Sequence, residues 1–244
     1  MPEPKPLPVA DELGTVFARM SGLLLSQETV GTALRLVTSL ARETLPHSMG
    51  AGITLVDPAG HRTTAAGTDP IVKEADALQY ELDEGPCLTA WREQSVVRVD
   101  DTATEQRWPH WTVQVVPLGM RAVLSAPLVA GENLLGAIKV YSDTAGAFDA
   151  RDEFVLSMFA AQAAILVANM QSIEAARSLS DDLKSALRAR EVIAMAKGVL
   201  MSRDGADEGT ALTTLARLAA QRNTTLRDTA ETTVRSALRE RRPR

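Results

Sequence analysis

"AVLSAPLVAGENLLGAIKVYS", residues 122–142, reads as two apolar strands joined across Gly131-Glu132-Asn133, the clearest hairpin in the chain. Working outward, "VVRVD" at 96–100 reads as a further strand, and Gly85-Pro86 opens a short helix within "ELDEGPCLTAWREQ". "RWPHWTVQVVPLGM" between them reads as helix or loop. "AGITLVD" at 51–57 ends on the turn signal Asp57-Pro58-Ala59-Gly60, and "HRTTAAGTD" returns as its hairpin partner. Four or five strands spread among helices predict one sheet with helices packed on it, an α+β class. Upstream, residues 9–45 read as two helices. One carries Leu13, Val16, Phe17 and Met20, and the other Val30, Leu34, Val37 and Leu40, at helical spacing.

Downstream of the hairpin the pattern changes. "DARDEFVLSMFAAQAAILVANMQSIEAARS", from residue 149, contains neither Gly nor Pro, and the chain stays helical from there. Phe159, Ala163, Leu166, Met170 and Ile173 form a seam spaced 4, 3, 4, 3. That spacing fits a helix partner and therefore a homodimer, with packing on the chain's own sheet as the alternative. Arg177 and Ser180 interrupt the seam. Three helices follow: about Asp181 to Arg203, stopped by Gly205; about Asp207 to Gln221, with Ala211, Leu215 and Leu218 inward; and one starting near Thr225. There Thr225 and Asp228 approximate a capping box, and Leu226, Ala230, Val234 and Ala237 share a face.

A length of 244 residues suits two domains, and 45% hydrophobic with 23% charged residues is ordinary for a globular protein. Cys87 is the only cysteine, so no internal disulfide forms, and a cytoplasmic setting is expected. The proline-rich start lacks the basic-then-apolar order of a signal peptide, and residues 1–9 are expected to be disordered. No apolar run is expected to approach the roughly 20 residues of a membrane helix. Charge is unevenly spread. Residues 1–176 carry 12 Lys and Arg against 22 Asp and Glu, whereas residues 177–244 carry 14 against 9. The basic end suits a polyanion, although solvated arginine faces fit equally well. All nine aromatic residues lie at or before Phe159, so base stacking on rings is unavailable to the C-terminal end.

Within that end, "AMAKGVLMSRDG" at 194–205 sets Gly198 inside a helix, where glycine costs roughly 1 kcal/mol relative to alanine. A glycine there implies close approach, by another helix or by a ligand.

The stretches "EGPC", "SAPL" and "LLGAIKVYS", in this order and with the long closing helix, resemble a GAF domain over residues 10–172. The resemblance implies an antiparallel sheet with helices on it, holding a small molecule or serving as a dimerisation module. Cys87, Trp91, Trp108 and Trp111 are the candidate ligand-binding residues, with a buried structural role as the alternative for each. His61 and His110 are weaker candidates as haem ligands, and no metal site is expected.

"VIAMAKGVLMSRDGADEGTALTTLARLAAQRNTTLRDTAETTV" resembles an ANTAR domain, the RNA-binding three-helix module of bacterial transcription antiterminators. The match covers about residues 182–236, within a domain expected at 182–238, after a helical linker at 173–181 and before a basic tail at 239–244. Ala196, Lys197, Gly198, Leu200 and Met201 fall on its first motif; Asn223, Leu226, Arg227, Asp228 and Ala230 fall on its last. Leu212 stands where such domains usually carry an aromatic residue. The resemblance implies binding of RNA hairpins in nascent transcripts, with Ala194, Lys197, Gly198, Met201, Arg203, Arg222, Asn223 and Arg227 as the candidate RNA-binding residues. The alternative for Gly198 is a tight helix crossing within the bundle.

The expected function is therefore a non-enzymatic, signal-responsive antiterminator with RNA hairpins as partners, a small molecule or protein as signal, and no membrane. A sensor kinase would need a phosphoacceptor histidine in the helical half, yet the three histidines are His47, His61 and His110. A redox reductase would need a partner for Cys87. The serious competitor is a DNA-binding regulator with the same sensor, because helix-turn-helix modules are also small, helical and basic.

Overall fold

The computed structural model describes residues 27–45 and 47–240. The expected helix at 10–25, the segment before it and residues 241–244 lie outside the described residues. The chain divides into two compact units, Met1–Ile173 and Glu174–Arg244.

The first unit is a five-stranded antiparallel sheet with helices on both faces. Its elements are α1 (Gln27–Thr44), β1 (Gly50–Val56), β2 (Arg62–Gly67), α2 (Pro70–Leu82), α3 (Pro86–Glu93), β3 (Val97–Val99), α4 (Pro109–Val115), β4 (Ala122–Ala130) and β5 (Asn133–Ser142). The strand order is β2-β1-β5-β4-β3. The opening hairpin closes with Ala130 paired to Asn133, and Gly131 takes φ 61°, a left-handed value that favours glycine. The β1–β2 turn is held by Asp57, whose Oδ1 accepts from the backbone N–H groups of Ala59 and His61, both at 2.8 Å.

Strand parity separates two cores. Leu124, Ala126, Leu128, Ile138 and Val140 face α1 and the start of the closing helix. Val123, Ala137 and Tyr141 face the other way, toward α2, α3 and α4. This is why the hairpin reads as continuously apolar: both faces of β4 and β5 are covered. Helix α2 lies close on β1, where a Cβ at Gly52 would stand 2.7 Å from Val72 Cγ1 and 2.9 Å from Lys139 Cε.

Helix α5 runs without a break from Ala150 to Asp204. The separate helix expected from Asp181 is thus part of a longer one, since neither Gly nor Pro interrupts the backbone before Gly198. The expected seam is buried within the chain: Phe159, Ala163 and Leu166 sit in the core beneath the sheet, with Met170 and Ile173 packed against it. It is an intramolecular seam, not a dimer seam. Helix α5 also contains an 18-residue window of mean hydropathy 1.5, contrary to the expectation that no such apolar run exists. Its buried face, including Leu156, Ala160 and Val167, supplies much of that hydropathy by forming the core.

In the second unit, the C-terminal part of α5 packs with α6 (Glu208–Arg222) and α7 (Leu226–Glu240). The core is small and aliphatic: Ala196, Leu200, Ala211, Leu215 and Ala230. Helix ends carry it as well. Gly205 has φ 66°, and Asp207 caps α6 by accepting from Thr210 N–H at 2.7 Å. Thr225 Oγ1 accepts from Asp228 N–H at 3.0 Å and donates to the Asp228 carboxylate at 2.7 Å, a variant of the capping box.

Candidate functional site

The four ligand candidates of the first unit come together. Cys87, Trp108 and Trp111 are buried in one cluster between the sheet and α2, α3 and α4, with Trp91 packed against it. Trp108 and Trp111 meet edge to face with centroids 6.1 Å apart, and the Arg107 guanidinium lies 4.5 Å above the Trp108 ring. Trp108 Nε1 donates to Thr89 Oγ1 at 3.1 Å. Cys87 N–H donates to Gln79 Oε1 at 2.9 Å, and burial pushes its thiol pKa up, so the thiolate is disfavoured. His61 and His110 are exposed and paired with Asp57 and Glu84, at 2.9 and 2.7 Å.

The centre of this cluster is a group of residues that the sequence reading did not single out. Lys139 on β5 and Asp76 on α2 form an ion pair at 2.6 Å, both side chains wholly buried. Lys139 Nζ also donates to Thr54 Oγ1 at 2.7 Å. Thr64 Oγ1 donates to Asp76 Oδ2 at 2.7 Å, and the Tyr80 hydroxyl bonds Thr54 and Thr64 at 2.7 and 3.0 Å. Burial opposes charge on Lys139, but the Asp76 carboxylate beside it raises the ammonium pKa overall. Burial pushes Tyr80 up to about 12. Asp76 Oδ1, Trp91 Nε1, Trp111 Nε1 and Ser125 Oγ are buried without a hydrogen-bond partner among the described residues. Such atoms are uncommon in a closed core and ask for water or a ligand.

Two features of the sequence could have found it. Lys139 interrupts an apolar strand, and Pro70 sits at the first position of α2, a helix-start preference.

In the second unit the predicted RNA-binding residues separate into groups. Gly198 is exposed on α5, and a Cβ there would meet nothing within 4 Å. The tight-crossing alternative is therefore wrong: the bundle core uses Ala196 and Leu200, on a different side of the helix. Gly198 instead lines an apolar groove of about 550 Å³ between α5 and α7, together with Met195, Val199, Val234 and Leu238. Arg203 lines this groove and also, with Arg222, an adjoining polar cavity of about 150 Å³. Ala194 and Met201 are exposed on α5. The Lys197 ammonium bonds Glu208 at the start of α6, which lowers the Glu208 pKa. Asn223 takes the left-handed conformation at the end of α6, φ 50°, a conformation asparagine tolerates well. Arg227 bonds Glu231 and Ser185, each at 3.1 Å. Ser185 lies 18 residues before Arg203 on α5, about 27 Å along a helix, so Arg227 belongs to the other end of the bundle.

The comparisons with known proteins agree with this division. The GAF domain family matches residues 27–168 and the ANTAR domain family matches residues 181–234. The chain belongs to the GAF domain family and carries an ANTAR domain after it. Similar solved structures include the GAF domain of a phosphoenolpyruvate-protein phosphotransferase from Coxiella burnetii, at 17% identity and TM-score 0.54, covering 68% of this chain and 95% of that one. The corresponding GAF domain from Acinetobacter aligns at 13% identity and TM-score 0.51, over 67% of this chain and 94% of that one. Free methionine-R-sulfoxide reductase from Neisseria meningitidis, solved with its substrate, aligns at 15% identity and TM-score 0.50, over 66% and 89%. At these identities the likeness extends to the fold. No curated protein matches the chain in sequence.

Together these findings define a regulator of the ANTAR type with a GAF sensor.

Proposed function

We propose that this chain is a cytoplasmic, non-enzymatic transcription antiterminator that binds RNA hairpins in nascent transcripts under control of its GAF domain. The observation that carries the reading is the ANTAR match at 181–234, on a unit whose groove is flanked by arginines. The partner is a polyanion, in keeping with the basic excess of residues 177–244. The signal is a small molecule taken up at the Lys139–Asp76 cluster, where unpartnered polar atoms offer both donors and an acceptor. Cys87 has no catalytic part, being buried with its thiol pKa raised.

The active form is a homodimer, through a face of α5 other than the buried seam. Phe154, Met158 and Ile165 are exposed apolar residues on α5, and Leu179, Leu183 and Leu187 are exposed in the second unit. With Ala161 and Ala168 the first three repeat at three- and four-residue steps, and no charged residue falls on that stripe between positions 154 and 168. A second copy offers the same stripe in register.

A gel-shift titration of the full chain against tandem-hairpin RNA, a scrambled-loop control and duplex DNA tests the reading. Loop-dependent retardation that weakens steeply with salt is expected, and Lys197→Ala should weaken it further without loss of helix content. Retardation of the duplex DNA alone would instead assign the chain to DNA-binding regulators.

A further inference from the structure

The two cavities of the second unit adjoin, sharing Val199, Arg203 and Ala237. Their chemistry differs. The larger is walled mainly by aliphatic and thioether side chains, with Gly198, Ser202 and Arg203 completing the wall. A glycine costs helix stability, and here no packing neighbour asks for it, because a Cβ at 198 would meet nothing within 4 Å. What it does is keep the groove deep. The smaller cavity holds Arg222, which pairs with no carboxylate among the described residues, and Arg203, oriented by Asp204 through bonds of 2.7 and 3.0 Å. It also holds Thr232 and Thr233, whose hydroxyls donate to the carbonyls of Asp228 and Thr229 at 2.8 and 2.9 Å. Their oxygens are left as acceptors.

An apolar slot beside a two-arginine cavity with hydroxyl acceptors matches one nucleotide: a flat base, a phosphate and a ribose hydroxyl able to donate. The groove alone, at about 550 Å³, falls in the roughly 300–1,000 Å³ range of small-ligand sites. We propose that these adjoining cavities hold a single unpaired nucleotide of the bound RNA. Its base lies over Gly198 against Met195, Val199 and Leu238, and its phosphate lies on Arg203 and Arg222. The inference rests on the RNA-binding reading above and adds the place and manner of contact. With no aromatic residue in the unit, the aliphatic groove takes over the base-holding role that rings play elsewhere. The 2′-hydroxyl donating to Thr232 or Thr233 would separate RNA from DNA at this position.

The test uses the full chain and a tandem-hairpin RNA selected for binding to it from a loop-randomised pool, then made abasic at each loop position in turn. One abasic position should cost the wild type about tenfold in affinity, the scale of a held base. Gly198→Leu, which fills the groove while improving helix propensity, should cost a similar factor and become insensitive to that same abasic position. Arg222→Gln should keep the abasic profile and lower the salt dependence of binding by about one phosphate contact.

If Gly198→Leu binds as the wild type does and every abasic position behaves alike in both, the nucleotide site is overturned while RNA binding stands. If Gly198→Leu changes the mass of the free chain in solution and leaves RNA binding intact, the groove belongs to a protein contact and the proposal fails. If no RNA is selected by the wild type at low salt, the RNA reading itself falls, and this site with it.

Discussion

The two units stabilise themselves and place their polar groups in opposite ways. The first covers both faces of a sheet and encloses an ion pair, Lys139–Asp76, at zero exposure. The second holds three helices together with a hydrophobic cluster of five buried residues, three of them alanine, and leaves its arginines on the surface. A buried ion pair is worth little against an apolar substitute but is costly to break, because the remaining charge has no solvent. A surface arginine contributes almost nothing to stability and is open to a polyanion. The sensor-like unit therefore keeps its chemistry where a small change in one partner is felt throughout the core. The helical unit keeps its own where a macromolecule reaches it.

The sharpest way to break this contrast is Asp76→Ala, which strands the Lys139 ammonium and should cost about 3–5 kcal/mol in urea unfolding. Asp76→Leu with Lys139→Met should cost far less. A loss under about 1 kcal/mol for Asp76→Ala would mean that the pair is solvated and the contrast false.

The second unit is probed by Leu215→Ala, expected to cost about 2–5 kcal/mol within a core that has few other large side chains. Trp91, Trp108 and Trp111 all lie in the first unit. Helical circular dichroism should thus be lost at lower temperature while tryptophan fluorescence holds its wild-type midpoint. Coincident shifts of both signals would show that the units unfold as one.

Smaller effects refine the picture. Asp207→Ala removes the α6 cap and should lower the helical midpoint by the equivalent of about 1 kcal/mol, again without moving the fluorescence. Alkaline pH acts on the other unit. Tyr80 titrates near 12 in the fold against about 10 in an unfolded chain. Its contribution is complete below pH 10 and fades as pH rises through 12. Tyr80→Phe should flatten that part of the stability profile, as followed by urea midpoints between pH 9 and 11.5. An unchanged slope would place the hydroxyl in solvent.

Much of this was readable without coordinates wherever the physics is local. Both hairpins followed from apolar runs and turn residues, and the helix cap at Thr225 from a side chain that bonds backbone within three residues. The seam at Phe159, Ala163 and Leu166 shows the limit. Its spacing is right for burial but does not say against what, and the chain's own sheet answered. The same helix carries a second apolar stripe that the first obscured. Helix α2 went unread because its polar residues, Asp76, Gln79 and Tyr80, mask an inward face on which all but Tyr80 are fully buried.

By itself, then, the sequence determined the class of fold, the order of sensor and helical module, and the charge division between them, because periodicity, turn chemistry and charge are properties of short segments. Only the tertiary structure decided that Lys139 meets Asp76 across 63 positions, that Lys197 is tied to Glu208, and that Gly198 faces open space. Each of these depends on which elements pack side by side, and contacts between distant segments leave no period in the chain.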